Sequence, residues 1–318
     1  MASYDLYDLV IIGGGPGGVT AGIYAKRAVL KTVLIEKGVA GGQMTLTETV
    51  ENWPGTERIP GMELSERFLA HAQSYNLEVL SQDVTAVEPG LDHHTVRLAN
   101  NSIIHTHAVI IATGGSPRKL NIPGEKEYYG KGVSYCAVCD GFFFRNKTVV
   151  VVGGGDSATE ESLYLAKLAD KVYLVHRRDT MRAGMILQER VREQEKIEVI
   201  LNTVVKSIEA DSRGVNAVVL EHAITGEQRT LPTDGIFVFI GFTPNNQLVP
   251  AGSRMDADGY VITDDTCETN IPGIFVIGDL RHKYGKQIVI AAGEGATAAL
   301  AVAHFVDRKK GERSIHAL

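Results

Sequence analysis

Residues 8–18 read Asp8-Leu9-Val10-Ile11-Ile12-Gly13-Gly14-Gly15-Pro16-Gly17-Gly18, and 140 positions later residues 148–158 read Thr148-Val149-Val150-Val151-Val152-Gly153-Gly154-Gly155-Asp156-Ser157-Ala158. Each stretch opens on a short run of β-branched and aliphatic residues. Such a run predicts a strand buried on both faces of a parallel sheet. A helix-compatible stretch follows each, Val19 to Ala28 and Ala158 to Ala169. Then comes a second apolar run, Thr32 to Ile35 and Lys171 to Val175. A lone glycine triplet is weak evidence. Two in the same strand–turn–helix–strand register predict two dinucleotide-binding units. Gly13 and Gly153 allow the tight turn, Gly15 and Gly155 let backbone approach a pyrophosphate, and Gly18 and Ala158 let helix pack on strand. The helix N-termini offer free N–H groups to phosphate.

The ends of the second strands separate the two ligands. Glu36 closes the first and can accept hydrogen bonds from ribose hydroxyls while repelling a 2′-phosphate. That site is predicted to take FAD or NAD. The equivalent position of the second unit is His176, followed by Arg177, Arg178 and Arg182. A basic cluster there suits a 2′-phosphate, so the second site is predicted to prefer NADPH to NADH. A solvated basic face is the alternative reading of the three arginines.

The chain has 318 residues, 44% of them apolar and 22% charged, with a net charge of −6. That is enough for two domains of ordinary size. The acidic balance gives no footprint for nucleic acid or an anionic membrane. Met1-Ala2-Ser3-Tyr4-Asp5 lacks a basic flank and an apolar signal core. The apolar stretch from Ile288 to Val306 is broken by Glu294 and two glycines, and predicts a buried helix rather than a membrane span. A cytoplasmic protein is expected.

Of three cysteines, Cys136 and Cys139 form a Cys-x-x-Cys pair, which reads as redox work or metal binding. Zinc usually needs four ligands, and no second Cys/His pair stands at suitable spacing, so no metal site is expected. Cys267 stands alone and reads as a structural thiol. Asp140, next to the pair, is either a proton donor and acceptor during thiol exchange or a helix cap. A helix start at the pair would favour the thiolate.

The strand-like runs Ala108–Thr113 and Gly235–Ile240 each end in turn residues, Gly114-Gly115-Ser116-Pro117 and Gly241-Phe242-Thr243-Pro244. These predict two crossings between domains: 1–117, then an inserted 118–244, then a return over 245–318. The fold class is α/β, with two Rossmann-like nucleotide-binding domains, one inserted in the other.

With these motifs in place, the chain resembles the bacterial low-molecular-weight thioredoxin reductases along nearly all its length. The resemblance is carried by Gly13 to Gly18, Gly41-Gly42-Gln43, Ala112-Thr113-Gly114, Cys136-Ala137-Val138-Cys139-Asp140, Gly153 to Ala158, His176-Arg177-Arg178 with Arg182, and Thr269 to Asp279. It implies FAD in the discontinuous domain, NADPH in the inserted one, a homodimer, and thioredoxin as protein substrate. For FAD it implies Gly13, Gly15, Pro16, Gly18, Glu36, Gly42, Gln43, Asn52, Thr113, Gly114, Gly278, Asp279, Lys286 and Gln287. For NADPH it implies Gly153, Gly155, Asp156, Ser157, Ala158, His176, Arg177, Arg178 and Arg182. Ala292 to Ala296 would open a helix beneath the flavin, and Trp53 would pack near the flavin edge. The chain has Lys286-Gln287 where the family often has Arg-Gln.

Larger glutathione-reductase-like enzymes carry their disulfide after the first ribose strand, but Glu36 to Pro60 holds no cysteine here. The resemblance implies that Cys136, Cys139 and Asp140 are catalytic, with Cys139 nearer the flavin and Cys136 attacking thioredoxin. It also implies rotation of the inserted domain about the two crossings. The competing functions are a flavoprotein disulfide reductase or dithiol oxidase with another acceptor, and a non-catalytic redox-sensing module.

Overall fold

The structure, a computed structural model, describes residues 6–46 and 49–311. Met1 to Asp5, read above for a leader, lie outside the described residues. The chain divides into two compact units, Met1–Ser116 with Thr243–Leu318, and Pro117–Phe242. The boundaries drawn from sequence stand after residues 117 and 244.

The first unit starts with β1 (Tyr7–Ile12), α1 (Pro16–Arg27) and β2 (Thr32–Glu36). All six residues of β1 are buried. Leu9 and Ile11 enter one core cluster, while Val10 and Ile12 enter another. A strand covered on both faces has no polar side to show, which is why the run does not alternate. Pro16 opens α1 at a position whose N–H needs no partner, and Lys26 and Arg27 sit against the negative end of the dipole. α2 (Gly61–Ser74), β3 (Glu78–Ser81), β4 (Val84–Glu88), β5 (His94–Leu98) and β6 (Ile103–Ile111) follow. The strand order is β3-β2-β1-β6-β5-β4. β3, β2, β1 and β6 run parallel, and β5 and β4 add antiparallel pairs.

β7 (Gly115–Pro117) leads into the second unit. There β8 (Val133–Ser134), α3 (Ala137–Asp140), β9 (Thr148–Gly153), α4 (Asp156–Leu165), β10 (Lys171–Val175), α5 (Met185–Glu193) and β11 (Ile197–Ile200) come first. They are followed by β12 (Thr203–Asp211), β13 (Gly214–His222), β14 (Gln228–Pro232) and β15 (Gly235–Phe239). The parallel sheet has the order β11-β10-β9-β15-β8, and β12, β13 and β14 form a separate antiparallel sheet. As in β1, the residues of β9 divide between two cores: Val149 and Val151 face one, Val150 and Val152 the other.

β16 (Phe242–Pro244) pairs with β7, so the two crossings form a short ribbon. β17 (Ile274–Val276) then joins β6 in parallel along Val109–Ile111, beyond the Ile103–Thr106 half that pairs with β5. α6 (Ile288–Lys310) closes the first unit. By length and composition it could cross a membrane, yet Ala298, Ala299, Val302, Ala303 and Val306 are buried in the unit's core. It begins at Ile288, so Ala292 to Ala296 lie inside the helix and do not open it.

Candidate active site

The glycine loop of the first unit is shaped by two collisions and one opening. Gly13 has φ +109°, and a Cβ there would strike the Ala112 carbonyl; one on Gly18 would strike the Gly13 carbonyl. At Gly15, the N-cap of α1, a Cβ would meet nothing within 4 Å. The backbone is therefore open where a phosphate must approach. Glu36 reaches back to this loop: its Oε2 accepts the Gly14 N–H at 2.6 Å, and its Oε1 accepts the Gly38 N–H at 2.9 Å. Its carboxylate is thereby fixed beside the loop.

The other residues assigned to this unit are gathered by long-range bonds. Gln43 Nε2 donates to the Gly115 carbonyl at 2.6 Å, and Thr113 Oγ1 to the Asn245 carbonyl at 2.7 Å. Asn52 Nδ2 donates to Gln287 Oε1 at 3.2 Å, joining residues 235 positions apart. Gly42, Gly114 and Gly278 all have positive φ, and at Gly114 a Cβ would meet nothing. Trp53 packs edge-on to Phe68 with centroids 5.0 Å apart, beside Met44, Val50, Ile59 and Leu64. Lys286 Nζ donates to the Tyr260 hydroxyl at 2.6 Å and lies 4.2 Å from that ring's centroid. Burial holds its ammonium below the usual lysine range.

The second unit repeats the loop with different chemistry. A Cβ on Gly153 would collide with Ala158 Cβ and the Phe239 carbonyl, so this glycine serves close packing rather than a left-handed turn. Gly155, the N-cap of α4, is open like Gly15. The place that a Cβ on Gly154 would take is filled by the His176 ring. His176 is buried, and its Nε2 has no hydrogen-bond partner among the described residues. Burial first, with Arg178 and Arg182 adding, holds the imidazole below its ordinary pKa. The Arg182 N–H donates to the Gly154 carbonyl at 2.6 Å, which ties the basic segment to the loop. Asp156 Oδ1 accepts the Gly184 N–H at 2.8 Å. Arg177, Arg178 and Arg182 are exposed and form no ion pair among the described residues. Ser157 is also exposed on the first turn of α4.

In this second unit Cys136 and Cys139 are joined as a disulfide, with Cα atoms 5.3 Å apart. Cys136 caps α3, and its Sγ accepts the Cys139 N–H at 3.2 Å. Asp140 does not cap with its side chain. Its Oδ2 accepts the Ser134 hydroxyl at 2.6 Å, and Ser134 Oγ accepts the Cys136 N–H at 3.1 Å. Burial pushes the Asp140 carboxyl above the usual carboxylate range, against the Ser134 bond, which lowers it. Ser134 was not among the residues read from sequence; its one signal is a hydroxyl two residues before the Cys-x-x-Cys pair. Cys267, by contrast, is buried, and burial raises its thiol to about 11.

The two open glycine loops, one acidic and one basic at the strand end, fit two dinucleotides, and the dithiol lies in the basic unit. These features define a class. The family described as pyridine nucleotide-disulphide oxidoreductase matches residues 7–295. Relatives include the thioredoxin reductase of Bacillus subtilis, 46% identical over 96% of this chain and 97% of that one. The thioredoxin reductase of Helicobacter pylori is 40% identical over 95% of this chain and 99% of its own. The crystal structure of thioredoxin reductase from Streptococcus pyogenes superposes with a TM-score of 0.92 at 43% identity, covering 95% of this chain and 99% of that one. The chain belongs to the thioredoxin reductase family, and it is a disulfide oxidoreductase.

Proposed function

We propose that the chain takes reducing equivalents from NADPH at its second unit, relays them through FAD at its first, and delivers them through Cys136–Cys139 to thioredoxin. The observation that carries this reading is the disulfide's place in the same unit as the basic glycine loop, with a half-buried carboxyl beside it. FAD, when bound, supplies a hydride acceptor that can pass on two electrons.

The first unit's part is binding. Gly15 and the α1 N-terminus take the pyrophosphate, and Glu36 takes the ribose hydroxyls. Gln43, Asn52, Thr113, Gly114, Gly278, Asp279, Lys286 and Gln287 line the rest of the cofactor's path. In the second unit, Gly155 and α4 take the pyrophosphate of NADPH. Arg177, Arg178 and Arg182 take its 2′-phosphate, with neutral His176 bracing the loop.

The dithiol's part is exchange. Two electrons break the Cys136–Cys139 bond and leave two sulfurs to share the incoming proton. The Cys139 N–H that meets Cys136 Sγ would hold a thiolate there. That thiolate attacks one sulfur of the thioredoxin disulfide and expels the other as thiolate. Cys139 then attacks Cys136, restoring the bridge and releasing thioredoxin with one thiol and one thiolate, which takes its second proton from water. Asp140, already bonded to Ser134, receives and returns the proton. Val138 and Phe142, half exposed beside the bridge, offer an apolar face to a protein substrate. The second unit turns about the β7–β16 ribbon, so one dithiol serves both flavin and thioredoxin. The family resemblance further supports a homodimer acting in the cytoplasm.

Anaerobic titration with NADPH tests the route. Purified protein should be yellow, and thiols at Cys136 and Cys139 should appear as NADPH is consumed. Protein that cannot be loaded with flavin, or whose flavin is reduced while the disulfide stays closed, would contradict it.

A further inference from the structure

A buried ionic cluster stands behind the Gly278–Asp279 turn. Glu294, on the second turn of α6, is 8% exposed. Its Oε2 accepts the Gly278 N–H at 2.7 Å and Lys283 Nζ at 3.1 Å. Its Oε1 accepts Arg281 Nη1 at 2.9 Å. Lys283 also reaches Asp279 Oδ1 at 3.6 Å. Arg281 carries the cluster onward, with Nε donating to Thr263 Oγ1 at 2.5 Å and Nη2 to the Asp264 carbonyl at 3.0 Å. Three segments are thus tied to one carboxylate: the Gly278 turn, residues 281–283 and the loop at 263–264.

Two carboxylates face two cations, so the charges balance. Burying them is still costly, and a buried ion pair seldom adds to stability over an apolar substitute. α6 does not need Glu294 to dock, because its Ala298, Val302 and Val306 already fill the core. What the cluster fixes is a backbone shape. Gly278 has φ +70°, a left-handed conformation, and its N–H is spent on Glu294 rather than on backbone. Asp279 follows directly, with Lys283 holding its carboxylate. Lys286, read from sequence as the nearby cofactor lysine, has its ammonium on Tyr260 instead.

We propose that Glu294, with Arg281 and Lys283, is a positioning group that presets the Gly278–Asp279 turn for a flavin nucleotide. The inference rests on the reading of the first unit as the FAD site. Burial holds the Asp279 carboxyl above the usual carboxylate range; Lys283 and Lys286 oppose that shift, and Glu294 adds to it. The cluster's part is therefore to hold the turn's backbone in place. Presetting removes an ordering cost that FAD binding would otherwise carry.

The test is FAD binding to apoprotein, followed by quenching of flavin fluorescence. Glu294→Gln keeps the shape and one acceptor but removes the charge. Its FAD affinity should fall about tenfold, which is about 1.4 kcal/mol. Amide exchange across residues 278–280 of the apoprotein should quicken, while exchange in β1 stays as it was. Glu294→Asp should fall between, and Lys283→Met should weaken FAD while leaving the Gly278 amide protected. Unchanged FAD affinity and exchange in folded Glu294→Gln protein would overturn the proposal. If that variant does not fold, unchanged affinity in Lys283→Met would do so. A wild-type protein that binds no FAD would instead overturn the flavin reading, and this inference with it. Wild-type binding with indifferent variants overturns the inference alone.

Discussion

The two glycine loops share a backbone plan and differ in charge at one strand end. In the first unit the Glu36 carboxyl accepts the Gly14 N–H of the glycine loop and the Gly38 N–H just after β2. In the second, a buried neutral His176 fills the space over Gly154, and the exposed Arg177, Arg178 and Arg182 follow it in the chain. On the proposed reading, the loop geometry admits a dinucleotide and the residue closing the second strand selects which. The second unit also carries the dithiol. On that reading, one architecture used twice gains a direction for electron flow from a few side chains.

The largest effect should come from the feature only one unit has. Cys136→Ser and Cys139→Ser should each abolish sustained disulfide turnover while NADPH still bleaches the flavin. Cys139→Ser should also trap thioredoxin on Cys136, a conjugate detectable by mass. Stable capture through Cys139 instead would reverse the roles of the two sulfurs.

Removing the charge difference comes next. Arg177→Ala with Arg178→Ala should lower kcat/KM for NADPH at least about tenfold, since a hydrogen bond to a charged group is worth roughly 1.5–3 kcal/mol. NADH turnover should hold steady. Equal losses for both nucleotides would mean that the arginines do not read the 2′-phosphate. On the other side, Glu36→Arg should weaken FAD retention by about tenfold if one such bond to ribose is lost. Undiminished flavin content after dialysis would remove Glu36 from the ribose contact.

A separate effect, on stability rather than turnover, belongs to the first unit. Burial first, then Lys309, His93 and His107, hold His94 down at about 4 against 6.5 unfolded. The unfolded chain therefore binds more protons at this site between those values, and stability falls as pH drops from about 6.5 toward 4. The slope for one group is at most about 1.4 kcal/mol per pH unit. Denaturant titrations of His94→Asn across this window should show a flatter dependence than wild type. Parallel curves would place the acid sensitivity elsewhere.

Much of this comparison was legible in the sequence, because the deciding residues are local. The runs Leu9–Ile12 and Val149–Val152 announce doubly buried strands, and Glu36 and His176 stand at fixed offsets from their glycines. The antiparallel additions leave little trace in the sequence. In β4 only Val84 and Val87 are buried among exposed or half-exposed neighbours, a weak alternation in a short strand. The separate β12–β14 sheet has the same difficulty, although Gly214, with φ +118°, marks its first turn. The apolar run from Ile288 marks the start of α6, whereas the family resemblance implies an opening at Ala292, inside the helix. Within the site, the pairings Ser134–Asp140 and Glu294–Gly278 are hidden for another reason. Motifs single out Asp140 and Gly278, but nothing local marks Ser134 or Glu294 as their partners, and only the folded backbone brings them to 2.6 and 2.7 Å.

The most direct measurement follows NADPH oxidation by purified, FAD-loaded protein while counting thiols on added oxidised thioredoxin, with NADH run in parallel. Electron flow from the basic unit through the acidic one predicts a pair of thioredoxin thiols for each NADPH consumed, and much slower turnover with NADH. NADPH oxidation that yields hydrogen peroxide without thiols, or equal rates with both nucleotides, would contradict it.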